Sequence, residues 1–152
     1  MRRIAIFLLI AASVFIFATL ATKGYYHWNV QFESLGTGSM GMCDGKGFGG
    51  FTTYKSYDGE KLTFSKMTFS SETEASTCFD ETLRSNGVVV RSREDLFDES
   101  GTSTVGERVE ARNELDGPAS GFVVTHDGTY IVEIASTSLR HALIFEKRVR
   151  KY

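Results

Sequence analysis

The chain has 152 residues, with 17 Lys and Arg against 19 Asp and Glu, three His, two Cys and one Pro. A formal charge of −2 excludes the broad basic footprint that a nucleic-acid partner requires. The length bounds the chain to one domain beyond its N-terminal segment.

Met1-Arg2-Arg3 is followed by an uncharged apolar run from Ile4 to Thr22. Nineteen residues in a helix rise roughly 28 Å, close to a bilayer's hydrocarbon thickness. Ser13 and Thr19 can satisfy their hydroxyls on their own helix. The run predicts a transmembrane anchor or a signal-peptide helix over residues 4–22. Its length and the amphipathic Tyr25, Tyr26 and Trp28 behind it favour the anchor, with those three rings at the membrane interface. Cleavage near Ala21, after a basic start and an apolar stretch, is the secreted alternative. Either way residues 1–3 stay cytoplasmic and the C-terminal domain crosses to the periplasmic or extracellular side. Beyond residue 21, 15 Lys and Arg face 19 Asp and Glu.

Residues 23–50 read as a juxtamembrane and Gly-rich linker, because seven of the fifteen residues from Gly36 to Gly50 are glycine, which weakens helix and strand alike. Trp28, Val30 and Phe32 alternate with polar residues, as in a short strand. A single α+β domain is expected over 51–152. Phe51–Tyr57 and Lys61–Phe69 flank Asp58-Gly59, a hairpin turn signal. The apolar phase shifts between Phe64 and Met67, which suggests a bulge near Lys66. Ser71-Glu72-Thr73-Glu74 fits a capping box for a helix carrying Ala75, Cys78, Phe79 and Leu83 on one stripe, stopped by Asn86-Gly87. Val88–Val90 follows at once as a strand, so a parallel crossover is expected.

Arg93–Thr104 reads as a charged, turn-rich loop, and a broken strand follows through Val105, Val109 and Ala111. Asn113–Ser120, with Pro118, is a loop. Gly121–Thr125 and Thr129–Ala135 flank His126-Asp127-Gly128 as a second hairpin, with Ile131 and Glu133 facing one way and Tyr130, Val132 and Ile134 the other. A last helix carries Leu139, Ala142, Leu143 and Phe145. Lys147 to Lys151 form a basic tail that complements the C-terminal end of this helix. The fold class is α+β: a mostly antiparallel sheet of five to seven strands, with two helices on one face.

Cys43 and Cys78 form an even pair in a small domain expected outside the cytoplasm, so they are predicted to form a disulfide. Gly36-Thr-Gly38-Ser-Met-Gly41 matches a dinucleotide fingerprint by letter alone, since no helix can begin within it. No cofactor is implied. His27, His126 and His141 lack metal-ligand spacing with one another or with cysteine. His126 is expected to be exposed in its turn, where replacement by Ala would change stability by no more than about 0.5 kcal/mol. Asp95, Asp98 and Glu99 lack the pattern of a calcium loop. No residue is assigned a catalytic, cofactor-binding or metal-binding role. The expected function is a non-enzymatic binding or structural module of the cell envelope, attached to membrane lipid through residues 4–22. A secreted small-ligand or peptide-binding module is one alternative. An enzyme assembled from scattered residues such as His126, Asp127 and Glu133 is another.

Overall fold

The structure, a computed structural model, describes residues 32–149 apart from Tyr57, Glu99 and residues 117–119. The apolar run 4–22 and the aromatics Tyr25, Tyr26 and Trp28 lie outside the described residues. Among those that are described, no helix is long and apolar enough to cross a membrane.

Two strands in the middle of the sheet set the architecture. Gly121-Phe-Val-Val-Thr is apolar at consecutive positions, the mark of a strand buried on both faces. Strands β6 (Gly121–Asp127) and β7 (Tyr130–Ser136) form a hairpin closed by Gly128, whose φ of 55° suits glycine. Around them stand β1 (Phe32–Met42), β2 (Gly47–Ser56), β3 (Lys61–Thr68), β4 (Val88–Phe97) and β5 (Thr104–Asn113), with helices α1 (Glu72–Leu83) and α2 (Leu139–Val149). The seven strands form one sheet in the order β1-β2-β3-β7-β6-β5-β4, and every neighbouring pair is antiparallel.

Both faces of this sheet are covered. Met67, Phe69, Val109, Ala111, Phe122, Val124 and Ile131 form one core with Ala75, Cys78 and Phe79 of α1. Leu62, Val123 and Ile134 form a second core with Ala142 and Phe145 of α2. Successive strand residues point to opposite faces, so the helices lie on opposite faces. This corrects the expectation of two helices on one face. It also explains the phase shift in β3. That strand pairs with β2 without a bulge; Leu62 and Phe64 face α2, while Met67 faces α1.

The expected parallel crossover is present, but it spans the sheet rather than joining neighbouring strands. Alternating directions make β3 and β4 run the same way, but β7, β6 and β5 lie between them. Four strand spacings are about 19 Å, and a helix of 12 residues rises about 18 Å. Helix α1 is therefore long enough to carry the chain to the far edge, and it touches β7, β6 and β4. Ser71 caps it, accepting from the Glu74 N–H at 3.2 Å. The Glu74 carboxylate takes the Ser70 hydroxyl rather than closing the reciprocal half of a capping box. Gly87, at φ 83°, turns the chain into β4. The charged stretch Arg93–Phe97 is part of β4 and not a loop. β4 is an edge strand, where charge discourages further pairing, and Arg93 forms a two-pronged ion pair with Glu107 at 2.5 and 2.6 Å.

The glycine-rich stretch is the largest departure from the sequence reading. It forms the arms of the β1–β2 hairpin, paired from Phe32↔Ser56 to Met42↔Gly47. Glycine is used here for space. A Cβ at Gly38 would fall 2.6 Å from the Phe51 ring, and one at Gly47 would meet the Phe69 ring. Aromatic rings from neighbouring positions thus fill the places of missing side chains. The tip is Cys43-Asp44-Gly45-Lys46, with φ of 50°, 57° and 80° at the first three residues and Lys46 N–H donating to Cys43 O at 3.2 Å. From this tip Cys43 reaches α1 and is joined to Cys78 in a disulfide with a Cα–Cα distance of 5.7 Å, as the sequence predicts.

A second tie crosses the other face. Arg108 of β5 donates to both oxygens of Glu146 on α2 at 2.6 Å and to Glu110 at 2.7 Å. Glu146, then Glu110, hold the guanidinium firmly in its charged form.

The disulfide closes 35 residues of chain, for which loop entropy gives roughly 3–4 kcal/mol. Purified under non-reducing conditions, the protein is expected to show no free thiol on denaturation, and reduction is expected to lower its melting temperature. Two titratable thiols in the unreduced protein would contradict this arrangement.

Candidate functional site

On the α1 side, the sheet carries small residues at the end where β3 begins and β7 finishes. Thr63 and Ala135 pair there across the two strands, and neither side chain is large enough to fill the space under the C-terminal turn of α1. The result is a cleft of about 660 Å³, within the range of small-ligand sites. Its apolar walls come from Met42, Val88, Phe122 and Ala135, and Thr82 and Ser85 line it from the helix side.

Glu133 lies in the wall of this cleft. It sits on β7 between Ile131 and Ala135 on the α1 face, with Ser65 and Val124 as its cross-strand neighbours. The Ser65 hydroxyl faces the Glu133 backbone carbonyl at 3.5 Å, not the carboxylate. No hydrogen bond or ion pair reaches the Glu133 carboxylate among the described residues. Burial alone raises its pKa above 4.5, because desolvation disfavours the charged form and nothing offsets it. The other charged residues lining the cleft are Lys61 and Asp116. Lys61 lies four residues from Ser65 along β3, about 13 Å by strand rise, which explains why it does not neutralise Glu133.

The remaining residues singled out in the sequence are not brought to this cleft. His126 is buried, with 6% of its surface exposed, which corrects its assignment to an exposed turn. It occupies β6, its ring lies 5.7 Å from that of Phe79, and its Nε2 is 2.8 Å from Gly128 O. A strand buried on both faces has no solvent side on which to place it. Asp127 is on the opposite face from His126, so the trio His126, Asp127 and Glu133 does not converge. His141 is buried on α2, with Nε2 2.9 Å from Asp58 in the β2–β3 turn. The Ser56 hydroxyl, with His141 beside it, holds the Asp58 carboxyl below its usual range. Asp58 therefore stands between Ser56 and His141, so the bonds run through the carboxylate and not from serine to histidine. Asp98 is occupied within its own turn, accepting from Ser100, Thr102 and Ser103. Among the described residues, no group of three or more His, Cys, Asp or Glu is placed to hold a metal ion. The disulfide cysteines hold structure and are not part of the cleft wall.

The cleft was legible only in part. Glu133 is marked in the sequence as a charge sharing a strand face with Ile131. The partners that would normally explain such a charge are distant in sequence, and so is the space beside it. No protein-family model, curated protein or solved structure matches the chain.

Two outcomes follow. Replacing His126 by Ala removes a buried ring and its bond to Gly128, and is expected to lower stability by about 2 kcal/mol in chemical denaturation. The second concerns pH. Glu133 is protonated more readily folded than unfolded, so its contribution is fully present below about pH 4 and is lost as pH rises through its raised pKa. The Glu133→Gln variant, which keeps the shape without the charge, is expected to melt above the wild type at about pH 8, with the gap closing toward about pH 4. A gap independent of pH would show that Glu133 is not desolvated.

Proposed function

We propose that this chain is an extracytoplasmic binding module, attached to a membrane through residues 4–22, and that its α1-side cleft takes a small ligand without covalent chemistry. The cleft, with a Glu133 carboxylate that has no partner among the described residues, carries this reading. Two observations add support for the location. Arg2 and Arg3 precede an uninterrupted apolar run, and the Cys43–Cys78 disulfide is of a kind that persists in oxidising compartments. The absence of convergence among His126, Asp127 and Glu133 favours binding over catalysis. A protein partner is the second reading. It is supported by Phe48, 69% exposed, and Tyr130, 43% exposed, which lie in one row with Thr68 on the α2 face of the sheet.

The location is tested in intact cells. Protease added outside is expected to digest the C-terminal domain while leaving the extreme N-terminus protected, and the chain is expected to stay in the membrane after carbonate washing. A soluble product beginning near Thr22 would establish the secreted form instead. Full protection of the domain until lysis would overturn the extracytoplasmic placement.

A further inference from the structure

The hydroxyls around the cleft show what kind of ligand it suits. Thr82 donates its proton to Cys78 O at 2.9 Å, Ser85 to Glu81 O at 3.2 Å, Ser120 to Asn113 O at 2.8 Å and Ser136 to Lys61 O at 2.9 Å. Each of these lining residues has committed its hydrogen to a backbone carbonyl, which leaves the Thr82 and Ser85 oxygens as acceptors, while the Ser136 oxygen already accepts from the Ser138 N–H at 3.2 Å. Asn113 likewise directs its amide N–H at Asp116, at 2.7 Å. The Thr137 hydroxyl donates to the Glu60 carboxylate, so every lining hydroxyl with a described bond has its hydrogen committed and is left to act as an acceptor. Lys61 is the one cation among the described lining residues, and its backbone lies well along the strand from Glu133.

We propose that the cleft binds a small organic amine in its protonated form, with the ammonium seated against the Glu133 carboxylate and its remaining N–H groups directed to the lining hydroxyls. This rests on the reading of the cleft as the binding site and names the chemistry it selects. An ammonium carries three donors and no acceptor, the complement of this wall. It also supplies a partner that Glu133 lacks among the described residues, and pairing offsets the cost of a partly buried charge. An anionic ligand would meet two carboxylates, Glu133 and Asp116. A divalent metal ion would need about six oxygen ligands in close array, and no such group is present among the described residues. The apolar side chains of Met42, Val88, Phe122 and Ala135 would receive a short hydrocarbon portion attached to the amine.

Binding is coupled to the protonation of Glu133. The charged groups facing it within the cleft are Lys61 from β3 and Asp116 from the loop after β5; α1, β4 and β6 contribute uncharged lining residues. Occupation by a cation draws the carboxylate into its ionised form, so a proton is released on binding and affinity rises with pH until the free site is itself ionised.

The test uses the full chain in an uncharged maltoside detergent, with n-butylamine, 1-butanol and butyrate as probes of matched size. Amide NMR shifts of residues lining the cleft are followed on titration. Butylamine is expected to saturate them at least tenfold more tightly than butanol, to bind more tightly at about pH 8 than at about pH 5, and to lose at least tenfold in affinity in Glu133→Gln. The comparison between probes in the wild type stands whether or not the variant folds. Equal affinity of the amine for wild type and a folded Glu133→Gln would overturn the proposal. Saturation of the cleft by butanol or butyrate as tightly as by the amine would overturn it too, while leaving the cleft as a binding site. If none of the three probes shifts the lining residues, both the amine proposal and the small-ligand reading fall.

Discussion

The burial of β6 and β7 on both faces is the constraint from which the rest of the structure follows. A strand that is apolar at consecutive positions cannot present one side to water. Val123 and Ile134 must be covered from one side, and Phe122, Val124 and Ile131 from the other. Two helices are available, and each takes one face. Once they are separated in this way, each must be fixed to the sheet independently, since neither can brace the other. The Cys43–Cys78 disulfide fixes α1 through the β1–β2 tip. The Arg108–Glu146 pair fixes α2 through β5. His141, bonded to Asp58, holds the same helix to the β2–β3 turn.

The helices are also offset along the strands. On β3, the residue meeting α1 is Met67, whereas those meeting α2 are Leu62 and Phe64. Each helix therefore leaves part of its face less covered. On the α2 side this leaves Phe48 and Tyr130 exposed, with Lys66 lying 4.6 Å over the Tyr130 ring. On the α1 side, where Thr63 and Ala135 are small, it leaves a concave space that becomes the cleft. The site is thus a result of the same two-faced packing that stabilises the sheet.

Local signals in the sequence were dependable where one short segment decided the outcome. The turns at Asp58-Gly59 and Asp127-Gly128, the Ser71 cap and the stop at Gly87 all depend on a few adjacent residues. The alternation of Ile131 and Glu133 against Val132 and Ile134 is likewise a property of one strand. Readings that depended on distant partners were less secure. The glycines from Gly36 to Gly50 resemble a linker until Phe51 and Phe69 supply the missing side-chain volume, and Phe69 lies in another part of the chain. The phase shift in β3 resembles a bulge until two separate helices are known to cover the two faces. His126 resembles an exposed turn residue until Phe79 from α1 is placed over it. The cleft has no local signature beyond the charge of Glu133, because its space depends on where α1 comes to rest.

The unpaired state of Glu133 gains meaning from how the same chain treats its other buried or half-buried carboxylates. Glu146 is met by the guanidinium of Arg108 with two hydrogen bonds. Glu107 is met by Arg93. In each case the fold brings a donor from another element to satisfy the acid, because a buried charge without a partner is costly. Glu133 is placed on the inward face of a central strand, at a position where Gln would preserve the shape without the charge. It receives no such donor among the described residues, and the Thr82, Ser85 and Ser136 hydroxyls lining the same space turn their protons toward the backbone. A carboxylate so placed, beside hydroxyls whose hydrogens are turned to the backbone, is complementary to a small cationic hydrogen-bond donor of the kind proposed.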